Sequence, residues 1–469
     1  MLGEHSQPSH DCFIYIGFLI LIAWLPLPMG SNRPWAWSIM EIGAYLLAVF
    51  WLTAFVFNQV SITPVFRKSA LVIALFVLWL MFILFQLAPM PDPIIAQISP
   101  LSANYAASYP IFPPGAHSLS VDPYATIAAF LKSLAYVLFF CLALLLVHSR
   151  RRLRQLAYVL ILSALFQAVY GSLMTLSGLE YGFFIEKYVS WGLATGTYIN
   201  RNHLAGYLGM CLAVGIGMLI ASLDTGESYT WKQRLRKLLQ LFLSPKARLR
   251  LYLVMMVIAL VMTHSRMGNT AFFASIFIAG GLGLLLSRHA TRSTILLLTS
   301  LIIIDIFIVG TWFGIEKVAE RIEQTSLARE SRDEVDEYAI AQWKDYKIIG
   351  SGAGSFYAVF PKYRQQDVPG VYDHTHNDYL ELLTEGGVVG FTLLGLAVIL
   401  TSGAAIIAQY RRKDPLMRGA SFAAMMGISS ILIHSTVDFN LQIPANAATF
   451  MLILAMAWIS CHMKTGVHK

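Results

Sequence analysis

Residues 69–88 read SALVIALFVLWLMFILFQLA, an apolar run without a charged side chain. A helix rises 1.5 Å per residue, so about 20 residues cross the ~30 Å hydrocarbon core of a bilayer. Similar runs recur along the whole 469-residue chain. They predict a series of helices that span a membrane.

Composition supports the same fold class. The chain is 57% hydrophobic and 13% charged, with a mean hydropathy of +0.62, whereas soluble domains carry about a quarter charged residues. So few charges cannot cover a water-soluble globule of this size. We therefore predict an all-α, polytopic transmembrane bundle of about 12 spans. The spans are expected near residues 13–31, 36–57, 69–88, 124–147, 154–175, 203–222, 250–264, 268–287, 293–313, 379–409, 418–436 and 445–462.

The basic residues lie in short clusters between apolar runs, such as HSRRRLR at 148–154 and YRRKD at 410–414. Short cytoplasmic loops are enriched in Lys and Arg, so these clusters and both termini are expected on the cytoplasmic side. The formal net charge of +8 is therefore interpreted as a topology signal, and we expect no nucleic-acid partner.

The predicted organisation has three parts. Residues 1–313 form an N-terminal transmembrane bundle of about nine spans, residues 314–378 a large loop on the non-cytoplasmic side, and residues 379–469 the C-terminal transmembrane helices. The loop is expected to be partly helical, because residues 328–350 are rich in helix-forming residues and end at glycines. The glycines of GSGAGSF at 350–356 predict a turn or a close backbone approach rather than a nucleotide loop, because no βαβ unit surrounds them.

Polar side chains at membrane depth are costly, so they usually face a cavity or a partner. On the predicted topology, groups of polar residues converge at the external ends of the spans. They are Asn200, Arg201, Asn202 and His203; His264, Ser265 and Arg266; Arg329 and Arg332; His374, His376, Asn377, Asp378 and Glu381; and His434, Asp438, Asn440 and Gln442.

Arg266 lies in the short external turn THSRMGN, against the usual charge bias. It is either an interfacial arginine or an anion clamp, because a guanidinium offers two parallel donors to phosphate oxygens. His376 either caps or flanks the next helix, or serves as a general base. A metal site is not favoured at His374 and His376, because no third ligand has motif spacing. Neither a metal nor another cofactor is expected.

Two further motifs have structural and functional interpretations. Asn200 and Asn202 could cap a helix or recognise hydroxyl and phosphate groups. His434 and Asp438, one helical turn apart, could form a structural pair or contribute to substrate binding.

The motifs NRNHLA (200–205), SRMG (265–268), HTHNDYLELLTEGGVVG (374–390) and HSTVDFNLQIPANA (434–447) together resemble the O-antigen ligase and O-antigen polymerase superfamily. The resemblance implies a metal-independent, inverting GT-C type glycosyltransferase of the bacterial inner membrane, with its active site facing the periplasm. The donor would be a polyprenyl-diphosphate-linked glycan, and the acceptor a lipid A core or a growing glycan. Membrane lipid surrounds such an enzyme.

The resemblance also assigns residue roles. It implies that His376, Arg266 and Arg332 are catalytic. Arg329 and Arg332 both lie near the position of the family's loop arginine, so either could contact phosphate. The residues expected to bind substrate are Asn200, Asn202, His203, Arg329, His374, Asn377, His434, Asp438 and Asn440.

A ligase is the favoured activity, with a polymerase or a protein-glycosylating enzyme as alternatives within the superfamily. A secondary transporter is disfavoured, because it would need paired inverted halves with polar residues near the bilayer midplane.

Overall fold

The computed structural model describes residues 11–108, 116–222, 245–286, 299–300, 303, 333–368 and 370–464. Helices dominate this part of the chain. They are α1 (Cys12–Trp24), α2 (Pro34–Val56), α3 (Pro64–Lys68), α4 (Ala70–Leu87), α5 (Asp92–Ile98), α6 (Pro100–Ser108), α7 (Pro123–Leu146), α8 (Arg150–Ser177), α9 (Arg201–Ala221), α10 (Pro245–Met262), α11 (Arg266–Leu286), α12 (Phe356–Val359), α13 (Asp378–Arg411), α14 (Pro415–His434) and α15 (Pro444–His462). Residues 333–345 are also helical.

The described strands are only two residues long. β1 (Met90–Pro91) pairs antiparallel with β2 (Ala116–His117), and β3 (Tyr181–Gly182) with β4 (Ile185–Glu186). Three short 3₁₀ turns cover Met29–Ser31, Phe360–Lys362 and Asn440–Gln442.

The all-α, polytopic membrane fold is confirmed. Nine of the described helices are long and apolar enough to cross a membrane. Every expected span has a helix at its position except the one at 293–313, nearly all of which lies outside the described residues.

Some boundaries differ from the sequence prediction for clear reasons. α1 ends at Trp24 rather than near residue 31, because Pro26 and Pro28 cannot continue the helix. α10 begins at Pro245, so it includes three basic residues in its first turns. α13 contains a kink at Gly387, where φ is +60° and ψ is −166°. The predicted span at 379–409 is therefore a short helical segment followed by a longer one.

The helices divide into an enclosed centre and a lipid-facing periphery. The apolar windows of α9, α14 and α15 are 89%, 78% and 94% buried, whereas those of α2 and α13 are only 33% and 28% buried. α9 and α14 cross with their backbones in contact, because a Cβ at Gly217 or Gly419 would lie within 2.3 Å of the partner's carbonyl oxygen. Glycine allows this approach, which anchors the central pair.

The basic motifs and the polar motifs lie at opposite ends of the bundle. At one end, Arg150 of α8 pairs with Asp414, and Arg152 pairs with Asp11 before α1. At the other end α9, α11, α13 and α15 begin and α14 ends; we call it the polar end. This separation agrees with the sequence-based expectation that HSRRRLR and YRRKD share one side of the membrane.

Candidate active site

Asp438 lies at the centre of the polar end, in the segment between α14 and α15. Its carboxylate is fully buried and faces three imidazoles. His203 Nε2 and His376 Nδ1 lie 3.7 and 3.6 Å from Asp438 Oδ1, and His434 Nε2 lies 3.8 Å from Oδ2. These are ion-pair distances, longer than those of direct hydrogen bonds. Three separate stretches of sequence thus meet at one carboxylate.

The charge state of Asp438 follows from these neighbours. Burial raises the pKa of the carboxyl, but the adjacent imidazoles of His203 and His376 outweigh burial and hold the pKa well below its usual range. Asp438 is therefore ionised at neutral pH and provides a fixed negative charge beside three histidines.

The loop that carries Asp438 is fastened to the start of α13. Ser435 Oγ donates to Asp378 Oδ2 at 2.6 Å, and the backbone N–H of Leu441 donates to both oxygens of Asp378. The backbone N–H of Asp378 in turn donates to the carbonyl of Ser435 at 3.0 Å. Asp378 was grouped with the polar residues but not predicted to be a site residue, and its role here is to hold the loop.

Phe439 fills the space between the histidines. The centroid of its ring lies 4.7 Å from that of His203, 4.5 Å from that of His374 and 4.8 Å from that of His376. Sequence reasoning missed this residue, although it lies inside the HSTVDFNLQIPANA motif. Its packing fixes the planes of the three imidazoles relative to one another.

His376 has the geometry of an oriented base. Its side chain remains 23% exposed, and Nδ1 faces Asp438. The carboxylate favours the tautomer with hydrogen on Nδ1, which leaves Nε2 as the nitrogen that can accept a proton. His376 also has a φ of +58°. Left-handed backbone at a non-glycine residue is strained and concentrates at functional sites.

The helix cap beside His376 is made by a different residue. The Asn377 side chain accepts hydrogen bonds from the backbone N–H groups of Tyr379 and Leu380, at 3.1 and 3.2 Å. Asn377 is therefore the residue that caps α13. The alternative interpretation of His376 as the capping residue does not hold.

His374 has a closer carboxylate partner than His376. Its Nδ1 lies 2.6 Å from Glu381 Oε1, and Glu381 Oε2 accepts from the backbone N–H of Thr375 at 3.1 Å. Burial lowers the pKa of His374, but the charge and hydrogen bond of Glu381 outweigh it and raise that pKa to about 9. His374 is therefore a cation at neutral pH.

The start of α9 contributes one capping residue and one buried histidine. The Asn200 side chain accepts from the backbone N–H of Asn202 at 2.8 Å, so Asn200 caps α9. Asn202 is partly exposed, whereas His203 is buried against Phe439 and Asp438.

Asn440 is packed inside the protein rather than presented at a surface. Its Oδ1 accepts from Asn446 Nδ2 at 3.0 Å, and Asn446 also donates to the carbonyl of His203. A Cβ at Gly206 would lie 2.2 Å from Asn440 Oδ1, so glycine is required there. Asn440 thus ties the loop after α14 to α9.

Arg266 begins α11 at the same end of the bundle. The preceding turn is closed by the backbone N–H groups of Ser265 and Gly268, which donate to Thr263 Oγ1 and Ser265 Oγ at 3.1 Å each. A Cβ at Gly268 would lie 2.5 Å from the Ala205 Cβ, so α11 starts against the first turns of α9. Arg266 is exposed beside this contact. Arg329 and Arg332 lie outside the described residues.

The glycine motif docks the segment before α13 onto the bundle. Gly350, Gly352 and Gly354 all have positive φ. A Cβ at Gly350 would lie 2.1 Å from the carbonyl oxygen of Glu385, so the predicted close backbone approach is confirmed. Gln86 of α4 joins both sides, donating to the carbonyls of Ile349 and Glu385 and accepting from the N–H of Ala353. These contacts of Gly350 and Gln86 position the segment that carries His374 and His376.

Among the described residues, no group of three or more His, Cys, Asp or Glu side chains is arranged to hold a metal ion. The three histidines instead surround a single carboxylate. Such an arrangement can orient an imidazole and shift its proton, which is the requirement for general-base chemistry.

Comparisons with known proteins bear on the motifs of this site. Residues 251–395 match the family model described as O-antigen ligase. A search of curated proteins finds no match to the chain. The matched stretch includes Arg266, His374 and His376, whereas His203 and Asp438 lie on either side of it. The match supports the resemblance that the motifs indicate: over residues 251–395, this multi-pass membrane protein is similar to the O-antigen ligase family.

Proposed function

We propose that this protein is an O-antigen ligase that transfers a glycan from a polyprenyl-diphosphate carrier to a hydroxyl of a lipid A core. The family match supports a ligase or polymerase activity in general. The single observation that carries the finer proposal is the orientation of His376, whose Nδ1 faces the buried carboxylate of Asp438 at 3.6 Å.

In this mechanism the acceptor hydroxyl oxygen attacks the anomeric carbon of the donor sugar. The new C–O bond forms as the bond from that carbon to the diphosphate oxygen breaks, so the configuration inverts. The hydroxyl proton passes to Nε2 of His376, and Asp438 stabilises the imidazolium that results. The polyprenyl diphosphate leaves with the bonding electron pair.

The leaving diphosphate gains negative charge, so fixed positive donors must lie where that charge develops. Arg266 at the start of α11 is the described candidate, and Arg332 is the second, with Arg329 three residues away in the chain. His374 adds a protonated imidazole whose charge is balanced by Glu381, so it offers the donor an N–H group rather than a net positive charge. The role of His374 is to bind or orient the anionic donor rather than to accept the proton.

The other predicted substrate-binding residues have different tasks in this proposal. Asn202, at the polar start of α9, contributes to hydroxyl recognition. Asn200, Asn377 and Asn440 hold helix starts and the loop after α14. His203 and His434 share Asp438 with His376 and keep the carboxylate in place.

We propose the bacterial inner membrane as the location and the periplasm as the side that the polar end faces. The basic motifs at the opposite end support this orientation under the positive-inside rule. Residues 314–378 form the periplasmic catalytic loop, between a bundle at 1–313 and the helices at 379–469. The enzyme is of GT-C type and needs no metal.

Gene deletion followed by gel analysis of surface polysaccharide tests the reaction. A ligase mutant accumulates polymer on the carrier lipid and displays bare core. A core capped by a single repeat would identify a polymerase instead. Unchanged lipid-linked glycan with loss of glycan from protein would identify a protein-glycosylating enzyme.

A further inference from the structure

The connection between α8 and α9 has an unusual arrangement of polar and apolar side chains. Residues 179–191, which include β3 and β4 and which we call the aromatic hairpin, expose large apolar groups. Phe184 is 84% exposed, Tyr188 60% and Trp191 54%. Of the charged residues in the hairpin, Glu180 and Lys187 lie beneath these rings and are buried, whereas Glu186 in β4 is exposed. A water-facing loop shows the reverse pattern, with charges outside and aromatic rings inside.

The buried charges give the hairpin a defined conformation. Lys187 Nζ lies 2.5 Å from Glu180 Oε2 and donates to the carbonyl of Leu193 at 2.9 Å. The second oxygen of Glu180 accepts from the backbone N–H of Gly192 at 2.8 Å. These contacts close the base of the hairpin and direct its apolar rings outward.

The hairpin folds back along α8 instead of rising away from it. Tyr170 OH lies 3.2 and 3.1 Å from the carbonyl oxygens of Tyr181 and Phe183, and its one proton is shared between them. Tyr170 precedes the end of α8 at Ser177 by seven residues, which corresponds to roughly 10 Å along the helix axis. Helical side chains also lean towards the N-terminus, so the Tyr170 hydroxyl lies no closer to the helix end than its Cα. The hairpin tip therefore hangs beside the membrane-spanning part of α8.

The surface of the hairpin continues the lipid-facing surface of α8. Leu173 is 56% exposed, Leu176 76% and Leu179 58%. The Tyr170 hydroxyl and the pairing of β3 with β4 provide hydrogen-bond partners for part of the backbone at the tip, which lowers the cost of placing it beside lipid. Amphipathic rings such as those of Tyr188 and Trp191 concentrate where the hydrocarbon core meets the headgroups.

We propose that the aromatic hairpin binds the lipid bilayer on the side of the polar end, with the rings of Phe183 and Phe184 at the boundary between headgroups and acyl chains. Interfacial elements of this type bury their apolar groups by about 5–10 Å. The hairpin also continues into the candidate site, because the N–H of Ala194 donates to the carbonyl of Met262, close to the turn before Arg266. Lipid contact at the hairpin therefore fixes the height of that turn relative to the membrane surface.

The first test places an environment-sensitive NBD fluorophore at Phe184→Cys, after the four native cysteines have been replaced by alanine. Val371→Cys is the matched control, because Val371 is 76% exposed in the segment before α13. The full-length protein is reconstituted into phosphatidylcholine and phosphatidylglycerol nanodiscs with or without lipids that carry nitroxide groups. We expect blue-shifted emission at position 184, quenching by nitroxide near the headgroups and protection from aqueous iodide. Position 371 should show the opposite.

A second measurement keeps the hairpin sequence intact. Quenching of the native tryptophans by brominated lipid is compared between the unmodified protein and Trp191→Phe, so that the difference isolates one ring among ten. A Trp191 component quenched by brominated lipid supports the proposal. Iodide access at position 184 equal to that at 371 would overturn it, as would protection from iodide without quenching by either lipid, which would indicate a covering protein.

Discussion

His374 and His376 are separated by one residue and pack against the same phenylalanine, the first stacked and the second edge-on, yet their surroundings differ. His374 contacts Glu381 at 2.6 Å, within a direct hydrogen bond. His376 lies 3.6 Å from Asp438, whose charge is shared with two further histidines. The first arrangement keeps the imidazole protonated at neutral pH, whereas the second orients an imidazole and leaves its other nitrogen open.

Residue type alone therefore does not assign an acid–base role. A histidine beside a dedicated carboxylate becomes a fixed cation, because its pKa rises to about 9. A histidine beside a shared carboxylate keeps a nitrogen available for proton transfer. We therefore propose that His374 binds or orients the anionic donor and that His376 accepts the proton of the acceptor hydroxyl.

The largest expected effect comes from removing the proposed base. His376→Ala should lower the transfer rate by about 10²- to 10⁴-fold, the usual value of general-base assistance, while donor binding changes little. The measurement is transfer from a purified polyprenyl-diphosphate glycan, with donor affinity measured separately. His374→Ala is the matched control and should have the milder effect on turnover. Equal losses in the two variants would remove the distinction between the histidines.

Arg266→Lys separates charge from geometry on the donor side. Lysine keeps the positive charge but cannot form the planar, two-donor contact with a phosphate. Loss of one charge-assisted hydrogen bond is worth roughly 1.5–3 kcal/mol, so activity should fall about ten- to a hundredfold. The acid limb of the pH–rate profile should remain. Near-normal turnover would reduce Arg266 to a point charge or an interfacial anchor.

Asp438→Asn tests the shared carboxylate. The amide keeps the shape but removes the charge that orients His376, so we expect turnover to fall by about tenfold, with the protein still folded. Size-exclusion profile and thermal unfolding provide the folding check. His434→Gln is the companion variant and should lower turnover less, because His434 does not contact the proposed base. A larger loss in His434→Gln than in Asp438→Asn would place the functional partner elsewhere.

The smallest effect concerns stability and the His374–Glu381 pair. Because the folded pKa of His374 is raised from 6.5 to about 9, the pair stabilises the fold fully below pH 6.5, and this contribution is lost as pH rises through 9. In detergent at neutral pH, the melting temperature of the wild type should be higher than that of His374→Gln by roughly a few degrees. The gap should close by pH 10. A gap that widens with pH would mean that the pair is not charged as described.

Local patterns predicted most of the fold, because an apolar run long enough to span a bilayer requires little long-range information. The breaks that the prediction missed, after Trp24 and at Gly387, depend on prolines and on backbone contact with a distant loop. The site was only partly predictable. The i,i+4 spacing suggested a pair between His434 and Asp438, but it could not reveal that His203 and His376 share the same carboxylate.

Phe439 was missed for the same reason, since an aromatic residue in an apolar motif carries no local sign that three histidines pack around it. The partnership of His374 with Glu381 was also hidden. The two residues lie seven positions apart, across the start of α13, and only the turn at His376 brings them together.

The pH dependence of transfer by wild type and His376→Gln, measured with purified donor in the presence of EDTA, tests whether His376 is the base. We predict that wild-type transfer persists in EDTA and falls on acidification with the inflection of a single histidine, while the residual activity of His376→Gln is low and lacks that inflection. Near-normal turnover in His376→Gln, or activity that EDTA abolishes and zinc restores, would contradict the assignment of His376 as the base.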